Sequence, residues 1–245
     1  MTFDALGLEL QELRSMSAPP ELGDKILSSA GVKDVRARIS SPIGPIWVVF
    51  NFRGLRSVTP VGAAPPGAID GLLPRALERR LELALKGRKT RLEFDLSGLG
   101  SFERSVLSKT QEIPFGEVRS YGWVAKEIDR PRAVRAVGTA LAHNPIPLFI
   151  PCHRVIRSDW SIGQYSGGGP EAKRSLLTFE GVEIDLMQQL GRRGVRVIAD
   201  PRNRLFCVPG CRRLKRQDAG RLLEIESSER ALSTGFEACQ LCRPA

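Results

Sequence analysis

Residues 144–156 read NPIPLFIPCHRVI, an apolar run (Leu148-Phe149-Ile150) set among Pro145, Pro147 and Pro151 that delivers Cys152, His153 and Arg154. By itself the stretch reads as a short apolar strand with a thiol at its end. Cys152 then has three readings: a packed core thiol, a metal ligand, or a nucleophile. Each calls for different surroundings, so the flanking sequence has to be read outward from it.

Upstream the pattern is helical. SFERSVLSKTQEI forms a helix ended by Pro114-Phe115-Gly116, Ser120 is placed to cap SYGWVAKEI, and a further helix, RAVRAVGTALAHN, begins behind Pro131. Two short helices joined by a tight turn, the second carrying arginines, have the form of a helix-turn-helix. Downstream, GQYSGGGPEAKRSLLTFEG supplies a glycine loop and a final helix. Further upstream, residues 34–98 read as strands around one helix. VRARIS, IWVVFNF and LRSVTPV are strands, GAAPPGAIDG is a loop, LPRALERRLELALKG is a helix between Pro74 and Gly87, and TRLEFDL is a returning strand. Residues 1–32 carry a helical stripe (Phe3, Leu6, Leu10, Leu13) and a short helix around Ile26-Leu27, read as docking against the rest of the chain.

The chain has 245 residues, 42% of them hydrophobic, with 37 Lys+Arg against 27 Asp+Glu and a net charge of +10. That balance suggests a polyanionic partner, nucleic acid by default. There is no signal-peptide pattern and no apolar run of bilayer length, so a cytoplasmic protein, nucleoid-associated when on DNA, is expected. Five cysteines suit metal binding plus one separate thiol better than a disulfide framework. Cys207 and Cys211 form one close pair, Cys239 and Cys242 another, with 27 residues (212–238) between the pairs. This set suits a tetrahedral zinc site of four thiolates.

IPFGEVRSYGWVAKEI, RAVRAVGTALAHNPIPLFIPCHRVI, GQYSGG and KRSLLTFEG, in this order, resemble the O6-alkylguanine-DNA alkyltransferases (methylated-DNA–protein-cysteine methyltransferases), over about residues 35–183. The resemblance implies a small N-terminal α/β domain of ribonuclease H-like type (33–98) behind a helical extension (1–32). A helical catalytic and DNA-binding domain follows (99–185), and then the four-cysteine module (190–245). It implies that Cys152 accepts the alkyl group irreversibly, with His153 as base through a bridging water, Glu180 orienting the imidazole, and Asn144 as the hinge before the nucleophile. Arg135 would fill the space left by a flipped base and Tyr121 would rotate the nucleotide. Ala136, Gly138 and Ala140 would allow close approach to the minor groove of double-stranded DNA, while Tyr165, Ser166 and Gly167-Gly168 would wall the alkyl pocket. No cofactor is implied for catalysis, and the protein is expected to act as a monomer.

Two positions depart from the family pattern: Trp160, where a glycine is usual, is expected to reshape the active-site loop or pack against DNA, and Leu107, where tryptophan is frequent, to repack the core. The C-terminal cysteines resemble the zinc domain of the adaptive-response (Ada) methylation sensors. There the domain is N-terminal, and the cysteine matched here by Cys207 takes a methyl group from a phosphotriester. The alternative to a repair enzyme is therefore a non-catalytic alkylated-DNA sensor or regulator with an acceptor at Cys207. A cysteine peptidase is disfavoured, because only His143 and His153 exist and no oxyanion or cleft signature accompanies them.

Overall fold

A computed structural model describes residue 26, residues 33–214 and residues 219–244. The expected helical stripe at residues 3–13 lies outside the described residues, as does Leu27. No helix among the described residues is long and apolar enough to cross a membrane.

β1 (Val35–Ser41), β2 (Gly44–Asn51) and β3 (Gly54–Pro60) form an antiparallel meander in which Val35, Ala37, Ile46, Val48, Leu55 and Val58 point into the core. The fourth strand is not the expected TRLEFDL. It is β4 (Ile69–Asp70), from the stretch read as a loop, which pairs parallel to β1. Residues 90–96 contribute only an isolated bridge, Leu55 to Phe94, closed by Leu55 N donating to Glu93 O and Asp95 N to Leu55 O. Past that bridge, Asp95 turns to accept from Asn51 and Ser97, which ends the pairing. α1 (Arg75–Leu85) lays Leu81 on the sheet.

α2 (Ser101–Gln111) buries Val106, Leu107 and Thr110, so Leu107 is a core residue as expected. β5 (Arg119–Ser120) leads into α3 (Tyr121–Glu127), whose N-cap is Ser120, its hydroxyl accepting from Trp123 N at 3.0 Å. α4 (Val134–Ala142) starts two residues later than expected, since residues 131–133 complete a turn. The apolar run 148–150 is not a strand: it is a chain of turns with Leu148 at φ +74°. It ends in a single 3-10 turn, Cys152–Arg154, followed by β6 (Val155–Ile156), which pairs parallel to β5. α5 (Gly169–Phe179) closes this part of the chain.

α6 (Ile184–Arg192) leads to a second sheet of β7 (Val197–Asp200), β8 (Leu205–Cys207), β9 (Leu223–Ile225) and β10 (Glu237–Ala238), in the order β10-β8-β7-β9, with α7 (Ser228–Ser233) against it. The expected domain boundaries are not gaps in the core. One hydrophobic cluster runs from the first sheet through α2, α3 and α4 to Cys152. A second joins Val118, Ile156, Trp160, Ile162 and Leu177 to Met187 and all four C-terminal cysteines. A sheet with a single helix, or a tail built on strands of two to four residues, has too little apolar surface to close a core alone.

Candidate functional site

Cys152 is 4% exposed and sits where the proline-rich turns end. Asn144 holds it there. Its Oδ1 accepts from Ile146 N at 3.0 Å, and its Nδ2 donates to Ile150 O at 2.9 Å and to the Cys152 Sγ at 3.1 Å. One carboxamide thus ties the end of α4 to the last residues before the sulfur, which fixes the sulfur's position. Burial pushes the Cys152 thiol up, and the Asn144 bond and the nearby Lys173 ammonium offset part of that rise. At rest the group is a thiol that needs a base.

His153, the next residue, is fully buried behind the sulfur's cleft wall at Tyr165, whose ring it meets. Its Nε2 lies 2.8 Å from Glu180 Oε1, and its Nδ1, buried, has no hydrogen-bond partner among the described residues. Burial lowers the imidazole pKa, against the opposing pull of Glu180, so the ring rests neutral with Nε2–H donating and Nδ1 free to accept a proton. Glu180, at the C-terminal cap of α5, accepts from four donors: His153, Arg154 Nε at 2.8 Å, Arg154 Nη2 at 2.9 Å and Gly116 N at 3.1 Å. Burial raises the carboxyl, but the bonds from His153 and Arg154 outweigh it and hold it down to about 2. With the imidazole neutral, the Arg154 fork is the cation that does most of this.

The cleft in front of the sulfur has a volume of about 220 Å³ and is lined by Tyr121, Gly138, Leu141, Cys152, Tyr165 and Ser166, among others. The start of α3, the middle of α4 and the loop before α5 therefore meet at Cys152. Gly167 packs flat on the Tyr165 ring, where an added Cβ would stand 2.6 Å from Cζ. Tyr165 also meets the His153 ring edge-on at 6.1 Å between centroids, and its buried hydroxyl has no partner among the described residues. Burial, then the neighbouring Cys152, push both Tyr121 and Tyr165 up, so each remains a phenol able to donate. Arg135 and Ala136 are exposed on α4, Arg135 one turn before Gly138.

This constellation can deprotonate a sulfur through His153, hold the resulting imidazolium against Glu180, and offer phenol donors to a group seated in the cleft. Residues 101–182 match the family model described as 6-O-methylguanine DNA methyltransferase, DNA binding domain. The Mycobacterium bovis methylated-DNA–protein-cysteine methyltransferase is 38% identical over 157 residues, 58% of this chain and 89% of that protein. The chain belongs to the methylated-DNA–protein-cysteine methyltransferases. The Methanosarcina acetivorans methyltransferase matches at 37% over 59% of this chain and 97% of its own. The rat protein is 53% identical over 83 residues, so the match spans only 40% of that relative's length. A crystal structure of Mycobacterium tuberculosis OGT in complex with DNA superposes with a TM-score of 0.52 at 33% identity, over 62% of this chain and 97% of that one.

Two participants were not evident in the methyltransferase sequence. Arg154, next to His153, clamps Glu180 with two nitrogens and caps Ile113 O with a third. Lys173, on α5, is 1% exposed, donates to Val155 O at 2.6 Å, and lies 5.8 Å from the Tyr121 ring centroid. Burial lowers its pKa to about 8. Trp160 does not face DNA, contrary to one of the two expectations for it. It is 3% exposed and its Nε1 donates to Val195 O at 2.9 Å, within the apolar cluster that holds the cysteines.

The family-model match ends at residue 182, before the four-cysteine segment. There the sulfurs of Cys207, Cys211, Cys239 and Cys242 all lie within 4.8 Å of one another, and all four residues are buried. A tetrahedral tetrathiolate with metal–sulfur bonds of about 2.3 Å places its sulfurs about 3.8 Å apart, so the cluster fits a metal ion.

Proposed function

We propose that this chain repairs O6-alkylguanine in duplex DNA by moving the alkyl group irreversibly to its own Cys152. The single observation that carries the reading is the buried chain Asn144–Cys152 and His153–Glu180 opening on a cleft walled by Tyr121 and Tyr165. His153 Nδ1 takes the thiol proton through a water. The Cys152 Sγ then attacks the alkyl carbon in line, forming the S–C bond as the C–O6 bond breaks, and that electron pair leaves on guanine. The phenols of Tyr165 and Tyr121 and the Ser166 hydroxyl lie where they can donate to the departing base. The thioether is stable, so each molecule acts once.

The base must leave the stack to reach the cleft. In this reading Arg135 occupies its place, Tyr121 turns the nucleotide at its phosphate, and Ala136 and Gly138 let α4 seat in the minor groove, with the protein acting as a monomer. Arg135 is exposed, and its side chain makes no hydrogen bond or ion pair among the described residues that would have to be broken. Arg135→Ala is expected to slow repair of duplex substrate by about 10²-fold with no change in melting temperature. Single-turnover kinetics alongside thermal melting check it.

Residues 33–98 serve as a ribonuclease H-like support, 99–185 as the catalytic and DNA-binding part, and 190–245 as a zinc module. Cys207, Cys211, Cys239 and Cys242 would hold zinc, which supplies cross-linking rather than chemistry. The burial of Cys207, at 1% exposure, favours this over a methylphosphotriester acceptor.

Limiting protein incubated with excess O6-methylguanine duplex is expected to release one repaired guanine per chain and then stop. Continued release past one equivalent would refute the suicide mechanism. Because burial lowers the His153 pKa, the acid limb of the transfer rate is expected below the ordinary imidazole value of 6.5. A limb at or above that value would remove His153 as the base.

A further inference from the structure

The four-cysteine module touches both walls of the cleft through residues that take no part in the chemistry. One contact is at the loop that runs from β6 to Tyr165. Trp160 holds a left-handed backbone there, φ +64°, a conformation strained for a non-glycine residue. The strain is offset by the module: the indole is buried in the cysteine cluster and bonded to Val195 O. Beside it the Asp159 carbonyl lies so close to α6 that a Cβ on Gly191 would collide with it.

The second contact is at the entrance of the helix pair. Arg119, 1% exposed, precedes the cap residue Ser120 and Tyr121, and its β6 partner is Val155, three residues after Cys152. Its Nη2 bonds Glu117 at 2.7 Å and reaches Leu241 O at 3.4 Å, between Cys239 and Cys242. Arg212, next to Cys211, lies 3.6 Å from the other Glu117 oxygen. Arg243, next to Cys242, bridges to Glu127 at 2.9 Å and Glu112 at 3.4 Å, at the far ends of α3 and α2. Each cysteine knuckle therefore carries a side chain or carbonyl that grips the segment presenting Tyr121.

We propose that the C-terminal module is a clamp on the alkyl-guanine cleft, with Trp160 and Arg119 as positioning residues, so that alkyl transfer at Cys152 depends on the ion held by the four distant cysteines. The inference rests on the alkyl-transfer and metal-site readings above. The module's own sheet has a small core of five buried residues, so the sulfur–metal cross-link supplies much of its order. Without it, Leu241 O, Arg212, Arg243 and Val195 lose their fixed places. In-line displacement is sensitive to such loss: a misplacement of about 1 Å costs about 10²-fold.

The test measures single-turnover transfer against duplex concentration in the full chain, giving a maximal rate and a half-saturating concentration, with metal content and circular dichroism recorded for each sample. Trp160→Phe keeps the ring and loses the Val195 bond; Trp160→Gly accepts the backbone angle and frees the loop. Expected are maximal rates lower by about fivefold and about 30-fold, with half-saturation within about twofold, metal content unchanged and the fold intact well below melting. Chelation is expected to lower the maximal rate by at least about tenfold, with added zinc restoring it. A module that only adds stability would lower the melting temperature and leave the maximal rate alone. Unchanged maximal rates in Trp160→Gly, or in folded, metal-free protein, overturn the clamp. Purified protein with no metal and four freely titrating thiols overturns the metal reading instead, and in that case, or if chelation unfolds the chain, the Trp160 variants still decide.

Discussion

Cys152→Ala is expected to leave a folded protein that captures O6-alkylguanine duplex and accepts nothing from it. The substitution removes one atom from a pocket that already opens on a cleft, and Asn144 Nδ2 keeps its bond to Ile150 O, so no buried donor is orphaned. Stability should change by about 1 kcal/mol or less. The rate has no such tolerance, because the lost atom is the one that forms the new bond. Among the residues lining the cleft, Tyr121 and Tyr165 are phenols pushed up by burial, and Ser166 offers an exposed hydroxyl, a far weaker nucleophile than a thiolate. Transfer should fall by at least about 10⁴-fold while duplex affinity stays within about threefold. Gel-shift titration and single-turnover repair read the two numbers separately. A variant that loses both together would mean that Cys152 supports the DNA face rather than the reaction.

Glu180→Gln should injure both rate and stability, for one reason. The carboxylate accepts from four donors at once, and a carboxamide must turn an NH2 toward at least one of Gly116 N, Arg154 or His153 Nε2. The imidazolium formed during transfer also loses its counter-charge. A rate loss of about 10²- to 10³-fold is expected, with destabilisation of about 3 kcal/mol from the broken buried ion pair. The pH dependence gives an independent check. The carboxyl sits at about 2 in the folded protein against an ordinary 4.5, so its contribution is fully present above about pH 4.5 and is lost as pH falls toward about 2. From linkage it amounts to about 3 kcal/mol. Urea midpoints of the native protein should drop across that window, and Glu180→Gln should lack that component. Parallel curves for the two proteins between pH 5 and pH 2 would contradict the assignment of Glu180 as the buried anion.

Much of the reacting centre could be read from the sequence because it is local or carried by a motif. Asn144, Cys152 and His153 lie within ten residues, Ser120 caps α3 through its own hydroxyl, and the glycine turn beside Tyr165 was visible as composition. What escaped depends on contacts between distant segments. Arg154 is spelled out beside the histidine, yet its value lies in Glu180 and Ile113, 26 and 41 residues away. Lys173 reads as one more surface cation of α5 and becomes buried only because β6 offers it a carbonyl. Trp160 looked like a loop residue free to meet DNA, and nothing within its own turn says that α6 and the cysteine knuckles will enclose it. The strand errors have the same origin. Two residues of a proline-rich loop reach the sheet edge because β1 leaves it open, and the better strand former, 90–96, meets only Leu55.

The measurement that bears most directly on the central claim is the intact mass of the protein after exposure to an O6-methylguanine duplex, followed by peptide mapping. The account predicts one added methyl group per chain, located on Cys152, with Cys207, Cys211, Cys239 and Cys242 unmodified. An unchanged mass, or a methyl group found on the four-cysteine cluster instead, would contradict it.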